Sequence, residues 1–298
     1  MEAWVWVTVA AAAVQTLRFM LQKRLKGLGL STGGATLARF VFAAPLAGAA
    51  VLVLVAVQGG GLPAIAPPFW ALAVAGGLAQ IIATFCTVAL FSERSFAVGI
   101  AFTKTEAIQV AGFSALLLAE PVSAIGLAAI AVGTLGVLVL SRPETGWRGA
   151  GLRNRALLLG VLAGGFFGLS AIGYRAATLA VASPDPLMRA LVALVCVTAF
   201  QTVAMALWLA WREPGELGRV ARRWRAVLPV GVTGVLGSAG WFTAFALQNA
   251  AYVRSLGQVE LIFSILASVL VFREKVRGAE VLGMALLAVS IVMIVALA

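Results

Sequence analysis

The chain has 298 residues, of which 62% are hydrophobic and 11% charged, with a formal net charge of +11 and no histidine. A soluble domain carries about 45–50% apolar and 25% charged residues, so this composition excludes a soluble globular protein. The lack of histidine removes imidazole acid–base chemistry, histidine metal sites and a histidine pH switch; no metal site and no cofactor is expected.

Crossing a hydrocarbon core of about 30 Å takes roughly 20 apolar residues as helix. Ten stretches qualify, at about 3–21, 33–57, 69–91, 96–118, 122–140, 156–181, 186–210, 226–247, 251–271 and 279–297. They leave no room for a soluble domain, and the runs are too long and too uniform for barrel strands. The fold class expected is therefore all-α integral membrane.

In chain order, the first stretch has Glu2 as its only early charge and no small-residue cleavage site, so it reads as a span and not as a signal peptide. It bears Gln15, Arg18 and Gln22. The second span holds Arg39 and Pro45, and the third a polar stripe of Gln80, Thr84 and Thr87 at i, i+4 and i+7. The fourth carries Lys104, Glu106 and Gln109; Lys104 and Glu106 are about 200° apart around the helix and need different partners. The fifth is apolar. The sixth offers Ser170, Tyr174 and Arg175 beside Gly160, Gly164, Gly165 and Gly168. The seventh opens with Arg189. The eighth has Pro229, a glycine stripe (Gly231, Gly234, Gly237, Gly240), and Ser238 and Trp241 on a polar face. The ninth carries Arg254, Gln258 and Glu260, and the tenth is apolar. Glycine stripes of this kind let helix backbones approach closely in lipid. Pro45 and Pro229 mark places where kinks are expected. Cys86 and Cys196 lie in different spans and read as small apolar fillers.

The positive charge is unevenly placed. The odd-numbered loops carry sixteen Lys and Arg, whereas the even loops and the termini carry none. By the positive-inside rule the odd loops are cytoplasmic and both termini lie outside, in the periplasm of a bacterial inner membrane. The basic runs thus report topology, not nucleic acid. Arg189 and Arg254, near span ends, are expected to snorkel; Arg18, Arg39 and Arg175 can do so too.

A repeat runs through the chain. A shift of 154 residues superimposes Trp70 on Trp224, Gly77 on Gly231, Glu106 on Glu260, Ser114 on Ser268, Leu116 on Leu270 and Glu120 on Glu274. At an offset of 150, Arg39 falls on Arg189. The domains expected are a first repeat at 1–140, a basic linker at 141–155 and a second repeat at 156–298. Five spans per repeat means that the second copy enters the membrane from the opposite side, an inverted arrangement found in secondary transporters.

A carboxylate at hydrocarbon depth costs roughly 2.5–3.5 kcal/mol or more and marks a candidate site. Polar stripes on spans one, three, four, six, eight and nine point to a central cavity, with spans two, five, seven and ten outside it. The pathway residues expected are Gln15, Arg18, Gln80, Thr84, Lys104, Glu106, Gln109, Tyr174, Arg175, Ser238, Trp241, Gln258 and Glu260. Three roles stay open for the two glutamates. They can hold the ammonium of a zwitterion, pair structurally with Arg or Lys, or act as proton sites.

The pattern TEAIQVAGFSALLLAEPVSAIGLAAIAVGTLGVLVL and its second-half match VELIFSILASVLVFREKVRGAEVLGMALLAVSIVMIV resemble the drug/metabolite transporter superfamily, specifically its ten-helix EamA-type proteins. Glu120 and Glu274 stand at the helix-end turn as in the EamA pattern, and Arg39–Phe40 looks like the family's Arg-Phe pair. The resemblance implies a ten-helix fold of two five-helix units and export of small metabolites, with YddG-like amino acid exporters as a functional model. One departure is that many EamA proteins keep their termini in the cytoplasm.

The function expected is secondary transport, exporting amino acids or related metabolites by alternating access. The alternatives are a proton-coupled exporter of drugs or cationic compounds and, less favoured, a membrane-embedded lipid-modifying enzyme. No nucleotide-binding G-x-x-x-x-G-K-[ST] loop is present. The partners expected are a small-molecule substrate and membrane lipid, not nucleic acid, with the chain as a monomer and not an enzyme.

Overall fold

The computed structural model describes residues 2–91, 103, 106–120, 122–140, 155–272 and 278–296. The described residues are helical apart from short connections and one isolated antiparallel bridge, Ile65 to Val181. The helices are α1 (Ala3–Gly27), α2 (Thr32–Leu37), α3 (Ala43–Gln58), α4 (Phe69–Leu90), α5 (Glu106–Leu117), α6 (Ala124–Leu140), α7 (Arg155–Leu179), α8 (Pro186–Arg212), α9 (Glu216–Arg222), α10 (Trp224–Leu247), α11 (Ala250–Leu256), α12 (Glu260–Phe272) and α13 (Gly278–Ala296). A 3₁₀ turn, Gly257–Val259, joins α11 to α12.

Among the described residues six helices are long and apolar enough to cross a membrane: Ala3–Gly27, Phe69–Leu90, Leu158–Leu179, Pro186–Arg212, Trp224–Leu247 and Ala250–Val271. Four shorter apolar helices, Ala43–Gln58, Glu106–Leu117, Ala124–Val139 and Val281–Ile294, lie in the other four expected stretches. The outward faces are apolar: Leu52, Val57, Leu116 and Leu207 are all exposed. Such a surface is stable in lipid and not in water. Exposed Trp6, Trp70, Trp211 and Trp224 sit near helix ends, where their rings suit the membrane–water interface. This is a multi-pass integral membrane protein.

The helix ends obey local chemistry. Ser31 caps α2 by accepting the Gly34 N–H at 2.9 Å, and Asn249 caps α11 by accepting from Ala251 N at 2.7 Å. Asp185 caps α8 just before Pro186, where a missing N–H costs nothing.

Among the described residues, two spans are broken. Between α2 and α3 the chain turns tightly, with Phe40 N–H donating to Leu37 O and Ala43 N–H to Phe40 O, both at 2.8 Å. Pro45 comes next; its ring nitrogen cannot serve the Val41 carbonyl, so a regular helix loses a rung at this point. Pro229, by contrast, stays inside an unbroken α10, near its first turn. The second break is the 3₁₀ turn ahead of Glu260.

Packing pairs α4 with α7, α6 with α13, α1 with α10 and α3 with α8. Small residues permit these contacts. A Cβ on Gly173 of α7 would sit 2.9 Å from the Gly76 Cα of α4, and one on Gly240 of α10 would sit 2.8 Å from the Ala11 Cβ of α1. The glycine stripe of α10 thus lies against α1 and the break in the second span, where Gly234 faces the Arg39 carbonyl. Without a hydrophobic drive between helices in lipid, such close backbone contact supplies the association.

Candidate functional site

A cavity of about 20 Å3 lies among α1, the α2–α3 break, α4, α7, α10 and α11. It is lined by Gln15, Arg39, Gln80, Ser170, Tyr174, Ser238, Trp241 and Arg254, with Phe167, Phe242 and Phe245 completing the walls. That volume admits about one water molecule, so passage of a larger solute requires the helices to part.

Charge surrounds the cavity. Glu106, the first residue of α5, accepts a 2.6 Å ion pair from Arg254 Nη2 of α11. The Arg254 guanidinium also lies 4.7 Å from the Trp241 ring centroid and 5.8 Å from that of Phe167, in reach of a cation–π contact. Glu260, the first residue of α12, accepts a 2.8 Å hydrogen bond from Gln15 Nε2. Gln15 Oε1 in turn accepts from Trp241 Nε1 at 3.0 Å. Both glutamates stand in the first turn of a helix, whose dipole favours negative charge. Arg39 Nη1 donates to Thr84 Oγ1 at 2.8 Å, and Arg18 Nη1 to Gln22 Oε1 at 2.7 Å. All five charged residues are at most 6% exposed.

Of the thirteen expected pathway residues, Gln15, Gln80, Tyr174, Ser238 and Trp241 line the cavity. Glu106, Glu260, Thr84 and Arg18 are buried behind that wall or beside its lining residues. Gln109 reaches toward Gly165 of α7, and Gln258 is buried against Gly133 of α6. Lys104 lies outside the described residues. Arg175 is elsewhere: it pairs with Glu120 at 2.8 Å and donates to the Phe245 carbonyl at 2.6 Å. Asn249 Nδ2 also donates to the Glu120 carbonyl, at 3.3 Å. This knot lies at the end of the bundle where the Ile65–Val181 bridge forms and Gln58 donates to Asp185. At the other end, buried Glu216 of α9 accepts the Ser31 N–H at 2.7 Å and pairs with Arg219.

Two expectations need correction. Arg254 does not snorkel: it turns inward to Glu106 and Trp241, as Arg39 turns inward to Thr84. The second span is not wholly outside, because its break carries Arg39 to the cavity wall. The seventh span stays outside the cavity, as expected, but its Gln201 supports the wall from behind: its Nε2 lies 3.0–3.2 Å from Gly77 O, Gln80 Oε1 and Tyr174 OH. Gln201, Phe167, Phe242 and Phe245 were missed; an amide mid-span was a legible signal for Gln201, whereas the phenylalanines resemble any apolar residue. Arg189, the repeat partner of Arg39, sits in the first turn of α8 and lines no part of the cavity.

Residues 154–296 match the EamA-like transporter family. Twenty-seven chains of solved structures also match. One of them, described as "Crystal structure of protein", shares the fold with a TM-score of 0.69 at 17% identity, over 99% of this chain and 96% of its own. No curated protein matches the sequence. The fold is thus that of a multi-pass helical membrane protein, and its second half is similar to the EamA-like transporter family.

Proposed function

We propose that the whole chain is an EamA-type secondary transporter of the drug/metabolite superfamily. Its ten spans form two inverted five-helix repeats, and it moves amino acids or related small metabolites across the bacterial inner membrane by alternating access. The observation that carries this reading is the buried charged cluster around a cavity walled from both halves of the chain. Helix packing needs no such charges, and each is costly in hydrocarbon. The packing pattern agrees: exchanging the halves turns the α4–α7 contact, spans three and six, into the α10–α1 contact, spans eight and one.

In this mechanism the Arg175–Glu120–Asn249 knot closes one end, and the Glu216–Ser31 contact ties the other. The glycine face of α10 on α1 is smooth enough for the halves to rock, and the breaks at residues 38–42 and 257–259 supply hinges. The test is uptake into proteoliposomes of a panel of radiolabelled amino acids and small organic acids and amines, with and without a pH gradient. Wild type, Glu106→Gln and Glu260→Gln are compared. Wild-type uptake that either variant abolishes is the result expected; a wild type that moves nothing under any gradient overturns the reading. Accessibility of single cysteines at residues 60 and 150 fixes orientation, with 150 expected to react only from the cytoplasm.

A further inference from the structure

The charges that face the cavity are of one sign. Among the described residues its wall presents two guanidinium groups, Arg39 and Arg254, and no carboxylate. Behind the wall the imbalance persists among the described residues: Arg18, Arg39 and Arg254 stand against Glu106 and Glu260 in the buried cluster. Arg39 and Arg254 stand on the wall of one small cavity, so the like charges repel one another. The hydrogen bonding is also incomplete. Arg39 Nε and Arg254 Nε are buried N–H donors without an acceptor, as is Arg18 Nη2. Buried donors are nearly always satisfied, and one on a charged group costs more than most when left unpaired.

We infer that the cavity receives the carboxylate of a net-monoanionic organic acid between Arg39 and Arg254, with the apolar body of the substrate against Trp241, Tyr174 and Phe242. This rests on the transport reading above and narrows its substrates from amino acids and related metabolites to those with a net charge of −1. A carboxylate supplies two acceptor oxygens for the two empty Nε–H donors, and its charge cancels the excess of the cluster. A zwitterion leaves that excess in place and brings an ammonium to a wall with no carboxylate. A cation adds to it, and the Trp241 face that would receive a cation is already covered by Arg254.

Three probes with one ring system separate the cases: indole-3-acetate, tryptophan and tryptamine, of charge −1, 0 and +1 at neutral pH. Binding of each radiolabelled probe is measured on the full-length protein in lipid nanodiscs at fixed ionic strength. Indole-3-acetate is expected to bind at least about tenfold more tightly than tryptamine, and more tightly than tryptophan. In Arg39→Gln that preference collapses toward unity, whereas Arg39→Lys, which keeps the charge, retains part of it. The wild-type series stands even if a variant fails to fold. Equal or tighter binding of tryptophan or tryptamine overturns the inference, as does displacement of indole-3-acetate by chloride at equal concentration. If none of the three binds, the charge of whatever wild type carries in the uptake panel decides: an organic anion upholds the inference, and a zwitterion or cation overturns it. Transport of no compound at all sinks the transport reading itself.

Discussion

Replacing Glu106 with Gln removes the counter-charge of Arg254 while keeping shape and one acceptor oxygen. The pair is short, at 2.6 Å, with side chains only 7% and 2% exposed for Arg254 and Glu106. At an effective dielectric near 20, charge centres about 4 Å apart attract by about 4 kcal/mol. Glutamine retains a neutral hydrogen bond worth about 1 kcal/mol. The Trp241 and Phe167 faces continue to hold Arg254 in both proteins and cancel in the comparison. The net loss is then about 3 kcal/mol, in line with the roughly 3–5 kcal/mol seen when one member of a buried ion pair is removed. Unfolding of purified protein in mixed micelles by titration with sodium dodecyl sulfate, followed by circular dichroism, reads this directly. Arg254→Gln should cost a similar amount, and the double variant should fall short of the sum by about 2–3 kcal/mol, because the second substitution removes the charge stranded by the first. A cost for Glu106→Gln under about 1 kcal/mol, or strict additivity of the two, refutes the claim that this pair is a buried mutual counter-charge.

The close α4–α7 contact predicts that Gly173→Ala destabilises by about 1–3 kcal/mol, because its Cβ meets the backbone of Gly76 and neither helix can yield alone. Gly218→Ala on α9, with only Arg222 within reach at 3.9 Å, is the control and should be neutral or stabilising when the thermal unfolding of both variants is followed by circular dichroism. Gln201→Leu should cost about 1–3 kcal/mol by stripping a fully buried amide from Gly77 O, Gln80 and Tyr174; an unchanged melting temperature contradicts the hydrogen-bond assignment. At the end of the bundle that bears the Ile65–Val181 bridge, the partly exposed Arg175–Glu120 pair is worth about 1 kcal/mol. Arg175→Gln should therefore speed thiol labelling of Ser170→Cys about fivefold from that side, and an unaltered rate removes the pair from any role in closure.

The membrane class, six of the expected spans and the two glutamates within apolar stretches were legible in the chain. Apolar length sets the cost of leaving a segment in water, and a carboxylate in such a segment declares itself by its cost. Gln15, Gln80, Tyr174, Ser238 and Trp241 were legible for the same reason, as polar or amphipathic groups at hydrocarbon depth on helical stripes, and all five reach the cavity wall. The arginines were not. Position along a span tells how deep a cation starts, but a long flexible stem lets it end at the interface or at the centre, and only the neighbours decide. For Arg254 the deciding neighbours are Glu106, on a helix 148 residues earlier in the chain, and Trp241.

Helical periodicity also misleads where a helix breaks. Three residues of 3₁₀ turn at 120° instead of 100° rotate the helix beyond them by about 60°, which carries Glu260 nearly onto the face of Arg254. A uniform helix would hold the two well apart. Arg39 is placed in the same way by the interruption ahead of Pro45. Local sequence thus determined which groups are buried in lipid and where the backbone is weak. The tertiary packing alone decided which charges meet, because a counter-charge stabilises only at a few ångströms and the chain brings these together from opposite ends.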